Sequence, residues 1–308
     1  MNGVVIALLL GAVAGALLPL QTAINSGLSS RLGAVLPASL ISFAVGSAGL
    51  GLLVLVTGTA VPWAETAATQ PWWIWVGGAC GLVFRTMNIV LMPWIGASAT
   101  VVLPIVGQVL GGLVIDMTGA FDATVLPLDP SRVIGVVLVV LGAALVSQSG
   151  RRAVLEKALP VKGPHVLLWV VVVLVGSLGS IQTAANGRLG QAMDSALAAA
   201  LVSFLISTAG LSVITLIVRP RLQRSGPIPL WALGGGLAGA GFVLANAVNA
   251  PVLGVSLTVS IMVFGQVAAG LVLDHWGLLG VQTRPITLRR LAGAELVLLG
   301  VALERFAG

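Results

Sequence analysis

Carboxamides set among apolar residues are the groups here best placed to do chemistry, and they come in matched pairs. Gln21 and Asn25 stand four apart in Gln21-Thr22-Ala23-Ile24-Asn25, as Gln182 and Asn186 do in Gln182-Thr183-Ala184-Ala185-Asn186. A spacing of four puts each pair on one helical face. Gln108 and Gln266, each following a glycine, form a second match, and Asn88 and Asn246 a third. Inside a membrane such amides read in one of two ways: as the lining of a substrate pathway, or as bonds between adjacent helices. Arg85 and Glu295 are the charges best placed inside apolar stretches, and their repeat counterparts, Val243 and Val137, are apolar. A mid-membrane charge costs about 2.5–3.5 kcal/mol, so both should face protein or water. Either they neutralise each other, or Arg85 attracts an anionic group while Glu295 titrates in proton coupling, or Arg85 snorkels. Asp116 and Asp274 close apolar stretches, where a carboxylate opposes the helix dipole. Pairing with Arg132 and Arg290 is the default reading, and a coupling-ion role the alternative.

Other chemistries find no support. No Walker P-loop is present, nor an H-E-x-x-H or paired-aspartate motif, and the nine acids are spread along the chain. One cysteine, Cys80, excludes an intrachain disulfide, and two histidines leave little for a metal centre. No catalytic residue, metal site or cofactor is expected, and the protein is not read as an enzyme.

Composition says what holds these groups. The chain is 58% hydrophobic and 8% charged, against about a quarter charged in soluble domains. Its mean hydropathy is +1.11. The net charge of +6 sits in loops and reads as a topology signal, not as a nucleic-acid surface. Ten stretches approach the ~20 residues a bilayer requires: 3–25, 36–57, 72–92, 97–117 and 131–149, then 165–186, 196–218, 230–250, 253–273 and 288–306. The first is expected to be a retained membrane helix, since no basic residue precedes it.

The second five repeat the first. Ser42-Phe43 and Gly49-Leu50 return 161 residues on as Ser203-Phe204 and Gly210-Leu211. At an offset of 158, Gly77-Gly78, Gly81, Asp116 and Arg132 return as Gly235-Gly236, Gly239, Asp274 and Arg290. Equivalent loops carry opposite charge bias: Glu65 alone against Arg219, Arg221 and Arg224. Basic loops stay cytoplasmic, so equivalent loops should lie on opposite faces, as an odd number of spans per copy requires. The expected fold is an all-α integral membrane protein of ten transmembrane helices, as two five-helix inverted-topology repeats. Its parts are 1–150, a cytoplasmic linker at 151–164, and 165–308. Placing both termini outside puts eleven basic residues in cytoplasmic loops and leaves Arg132, Arg188 and Arg305 outside.

Two fused copies, each with Q-T-A-x-N in its first helix, resemble the drug/metabolite transporter superfamily, in particular its YdcZ-like branch of bacterial inner-membrane proteins. The resemblance covers both halves and is most specific at Gln21/Asn25, Gln182/Asn186, Gly107-Gln108 and Gly265-Gln266. It implies a ten-helix transporter that works by alternating access, with export the presumed direction.

The reading is therefore a secondary carrier of a small metabolite or drug-like solute in the inner membrane, with protons as the coupling ion and homodimerisation left open. Sparse charge with many amides hints at a neutral, zwitterionic or amphipathic solute. A lipid- or isoprenoid-processing membrane enzyme and a non-transporting scaffold are the alternatives. The pathway residues expected are Gln21, Asn25, Arg85, Asn88, Gln108, Gln182, Asn186, Asn246 and Gln266, with Glu295 for proton coupling.

Overall fold

The computed structural model describes residues 2–95, 97–148, 165–223 and 226–306; the expected linker, 151–164, lies outside them. Their regular structure is helical: α1 Asn2–Leu32, α2 Val35–Thr57, α3 Trp63–Thr69, α4 Val76–Ile95, α5 Ala97–Thr118, α6 Pro130–Gln148, α7 His165–Ala192, α8 Ala196–Val218, α9 Gly235–Leu253, α10 Val255–Trp276 and α11 Leu288–Phe306. Seven helical stretches among the described residues are long and apolar enough to cross a bilayer: they lie in α1, α2, α6, α7, α8 and α10, and in Leu230–Leu253, which contains α9. Their outer faces are apolar. Ile6, Leu9 and Val13 of α1 and Leu216 and Ile217 of α8 are exposed, a surface suited to hydrocarbon rather than water.

Helix ends follow local chemistry. Gly58, at φ 65°, closes α2 by donating its N–H back to the last turn. Ser195 opens α8 in extended conformation, its hydroxyl accepting the Ala198 N–H. Ser195→Ala is expected to cost about 0.5–2 kcal/mol, read as a lower unfolding midpoint of the purified protein. Two helices outrun their apolar stretches: α1 continues to Leu32 and α7 to Ala192. Their tails still bury Leu28, Leu32 and Leu189, so packing sustains the helix after hydropathy falls. The loop after α2 carries α3, a short helix absent from the described part of the equivalent loop after α8.

The halves interleave rather than sit side by side. Among the closest-packed pairs are α6 with α11, α5 with α7, α1 with α10, α1 with α9 and α4 with α7. Small residues make these approaches possible. Gly107 of α5 lies against the Val173 carbonyl of α7, and its repeat equivalent Gly265 against the Ala12 carbonyl of α1. Gly135 of α6 faces Gly300 of α11 while Gly142 faces Gly293; one number rises as the other falls, so α6 and α11 run in opposite directions. Equivalent residues also meet directly: the Phe43 and Phe204 rings lie 5.1 Å apart, and the Ser47 and Thr208 hydroxyls share a 2.9 Å hydrogen bond.

The loops gather at two ends. At one, Arg188 bonds Asp122 at 3.1 Å and Gln70 at 3.0 Å, joining the α7 tail to loops of the first half. At the other, the Gln223 N–H donates to the Leu32 carbonyl at 3.0 Å and Arg31 lies 5.1 Å from the Trp231 ring centre.

Candidate functional site

Each amide pair of one half seats on a glycine stripe of the other. On α9, a methyl group at Gly235 would overlap Asn25 Oδ1, and one at Gly239 would overlap the Gln21 amide. On α4, Gly77 meets Asn186 Oδ1 in the same way and Gly81 meets the Gln182 amide. The glycine hydrogen pointing along the missing Cβ thus faces the asparagine oxygen. This is a C–H···O contact of the kind found where helices cross, worth about 0.5–1 kcal/mol. The second glycine of each pair is wedged against the next helix: Gly236 against the Ser42 carbonyl of α2, Gly78 against the Ser203 carbonyl of α8. Gln21 and Asn186 are fully buried. Asn25 Oδ1 and both polar atoms of the Asn186 amide are buried with no conventional hydrogen-bond partner among the described residues.

The two halves then differ. Thr183 Oγ1 of α7 donates to Asn246 Oδ1 of α9 at 2.8 Å, and Asn246 Nδ2 donates to the Phe242 carbonyl at 3.0 Å. Gly187 and Gly190 of α7 close the same seam against Ala250 and Ala247. In the first half the equivalent threonine, Thr22, is exposed and, among the described residues, bonds the Leu18 carbonyl of its own helix. The equivalent helix pair, α1 and α4, is not among the closely packed pairs of the described residues. Gln108 is half-buried on α5, with its side chain against Gly179 of α7 and its carbonyl accepting the Ser180 hydroxyl. Gln266 is half-buried on α10, next to the Gly265 contact with α1.

A second buried polar group sits at the end of the bundle that holds Arg188. Asp116, at the close of α5 and 0% exposed, accepts from Arg132 Nη2 at 2.8 Å. It also accepts the backbone N–H groups of Val255 at 2.7 Å and Ser256 at 3.0 Å, across the interface between halves. Those N–H groups are freed because α9 and α10 are parted by Gly254, whose φ of 80° and ψ of 169° are open only to glycine. The carboxylate opposes the dipole of its own helix but caps that of α10, where negative charge is favoured. Arg290 pairs with Asp274 at the equivalent place, also as expected.

Beside Asp116, Glu304 of α11 is 5% exposed. It accepts from Ser256 Oγ at 2.8 Å and Ser260 Oγ at 2.6 Å.

The family described as "Putative inner membrane exporter, YdcZ" matches residues 6–145 and again 167–303. The chain belongs to the YdcZ family. A crystal structure with 17% identical residues superposes on this YdcZ-family chain with a TM-score of 0.71, covering 98% of this chain and 96% of its own. At that identity the likeness establishes the fold alone. No curated protein matches the sequence. Membership with apolar helices of spanning length makes the chain a multi-pass inner-membrane protein of a family described by transport.

Against this YdcZ-family frame, the expected residues divide. Gln21, Asn25, Gln182 and Asn186 meet the partner half, and Asn246 bonds Thr183. The side chains of Arg85 and Asn88 lie outside the described residues. Glu295 is exposed on α11, away from the buried polar groups. Glu304 was not anticipated. Its signal is an acid late in an apolar stretch that breaks the repeat, for the equivalent residue is Val146.

Proposed function

We propose that this protein is a secondary carrier that exports a small neutral, zwitterionic or amphipathic solute by alternating access between two inverted five-helix repeats. In this reading residues 1–150 and 165–308 are the repeats, 151–164 is a cytoplasmic linker, and ten helices span the membrane. The opposite run of α6 and α11 supports the inversion. Both termini lie outside, which sets the Arg31 and Gln223 end in the cytoplasm; the positive-inside rule supports this side.

One observation carries the mechanism: equivalent parts adopt two arrangements. The α7–α9 seam is closed by Thr183, Asn246 and the small residues beside them, whereas among the described residues α1 and α4 are not closely packed and Thr22 is exposed. Two repeat-related units in unlike arrangements are what a carrier open to one side requires. Exchange of the states closes α1 on α4 and opens α7 from α9, and the unpaired atoms of Asn25 and Asn186 are offered to the solute.

The test is flux from proteoliposomes loaded with a panel of neutral, zwitterionic and amphipathic solutes. In a Cys80→Ala background, the Thr183→Cys/Asn246→Cys pair should oxidise to a disulfide, stop flux, and recover it on reduction. Undiminished flux with the disulfide formed would rule out opening of this seam, and no protein-dependent flux of any solute would end the carrier reading.

A further inference from the structure

We propose that Glu304 is a proton-binding site at the outer end of this protein, one that cycles between carboxylate and free acid. Its use in coupling rests on the carrier reading; its ability to bind a proton does not.

Glu304 and Asp116 differ in the groups that surround them. Among the described residues every partner of Asp116 is an obligate donor: the Arg132 guanidinium and the Val255 and Ser256 N–H groups. Such a shell serves only the ionised form. The hydrogen-bonding partners of Glu304 are two hydroxyls, Ser256 Oγ and Ser260 Oγ, and a hydroxyl donates or accepts by rotating. With Glu304 ionised, both serines donate to it; with Glu304 protonated, its O–H donates to one serine and its second oxygen accepts from the other. The step is a bare proton transfer, carboxylate plus proton giving carboxylic acid, with no electrons exchanged.

The surrounding charge is also incomplete. Among the described residues, the charged groups facing Glu304 are Asp116 from α5 and Arg132 from α6, while α10 presents the two serines. Arg132 already pairs with Asp116 and donates to the Leu126 and Pro127 carbonyls. Among the described residues it makes no ion pair with Glu304. Among the described residues, two acids and one base leave one negative charge that a proton can cancel.

The repeat supplies an internal control. Glu304 packs on Gly135 of α6, where a Cβ would stand 2.8 Å from Glu304 Cγ. At the equivalent crossing Val146 packs on Gly293, where a Cβ would stand 2.8 Å from Val146 Cγ2. The same seat is filled by valine in one half and glutamate in the other, so packing does not call for the acid. Ser260 likewise corresponds to Val102.

The experiment is an infrared pH titration of the full-length protein in lipid nanodiscs, with no solute present. The wild type is expected to show a protonated-carboxyl C=O band that titrates reversibly, and Glu304→Gln and Glu304→Val are expected to lose it. Glu304→Val, which copies the other repeat, keeps the wild-type unfolding midpoint or raises it, so that loss of the band is not loss of fold. A wild type with no titrating band, a band retained in full by Glu304→Gln, or a band removed instead by Glu295→Gln would overturn the proposal. Absence of flux in proteoliposomes beside an intact titration would count against the carrier reading alone.

Discussion

Replacing Asp116 with asparagine is expected to destabilise the folded protein by about 3–5 kcal/mol, the cost of breaking a buried ion pair from one side. Asparagine keeps the shape but removes the charge opposite Arg132, which is itself only 5% exposed. The guanidinium then loses the carboxylate that bonds it directly, at a place nearly closed to water. The amide also caps the Val255 and Ser256 N–H groups more weakly, since bonds to an ionised acceptor are roughly twice as strong as neutral ones. The loss appears as a steep fall in unfolding midpoint for protein purified in detergent or nanodiscs. Asp274→Asn is the comparison: that side chain is 21% exposed, so solvent relieves part of the loss and the fall should be smaller. Equal falls at the two sites would show that the cross-interface cap on α10 contributes nothing.

The second large effect is predicted at Gly236. A Cβ there would overlap the Ser42 carbonyl and stand 2.8 Å from the Gly46 nitrogen. Both obstacles are backbone, so no side chain can rotate away; α2 or α9 must shift as a whole. Gly236→Ala is expected to cost about 1–3 kcal/mol despite alanine's better helix propensity. Gly270→Ala on α10 is the control, because nothing lies within 4 Å of its Cβ, and there propensity alone should stabilise by up to about 1 kcal/mol. If both variants shift the midpoint alike, the wedge between halves is not close-packed.

Much of this architecture can be read from residue order, but not the pairing. The Gln21/Asn25 and Gln182/Asn186 faces and the glycine pairs at 77–78 and 235–236 are each visible by spacing. Their mutual contact is not, because it joins residues far apart in the chain through a crossing no local pattern encodes. The Asp116–Arg132 and Asp274–Arg290 pairs are legible, since each arginine opens the helix after its aspartate. Glu304 is not legible, because it has no counterpart in the other repeat and an unmatched acid near a helix end looks like an ordinary interfacial charge. Glu295 reads as a charge in mid-stretch, yet it lies on the exposed face of α11. Hydropathy gives a residue's depth in the bilayer but not the direction its side chain takes around the helix axis.

Interleaving also bears on how the chain is made. The grooves on α1 that receive α9 and α10 are finished long before the ribosome reaches Gly235. Until then the amino-terminal helix waits in the lipid with Gln21 and Asn25 unsheltered, and the nascent chain depends on the insertion machinery or on provisional neighbours to cover them. A chain cut between its copies should assemble only when both pieces are synthesised together.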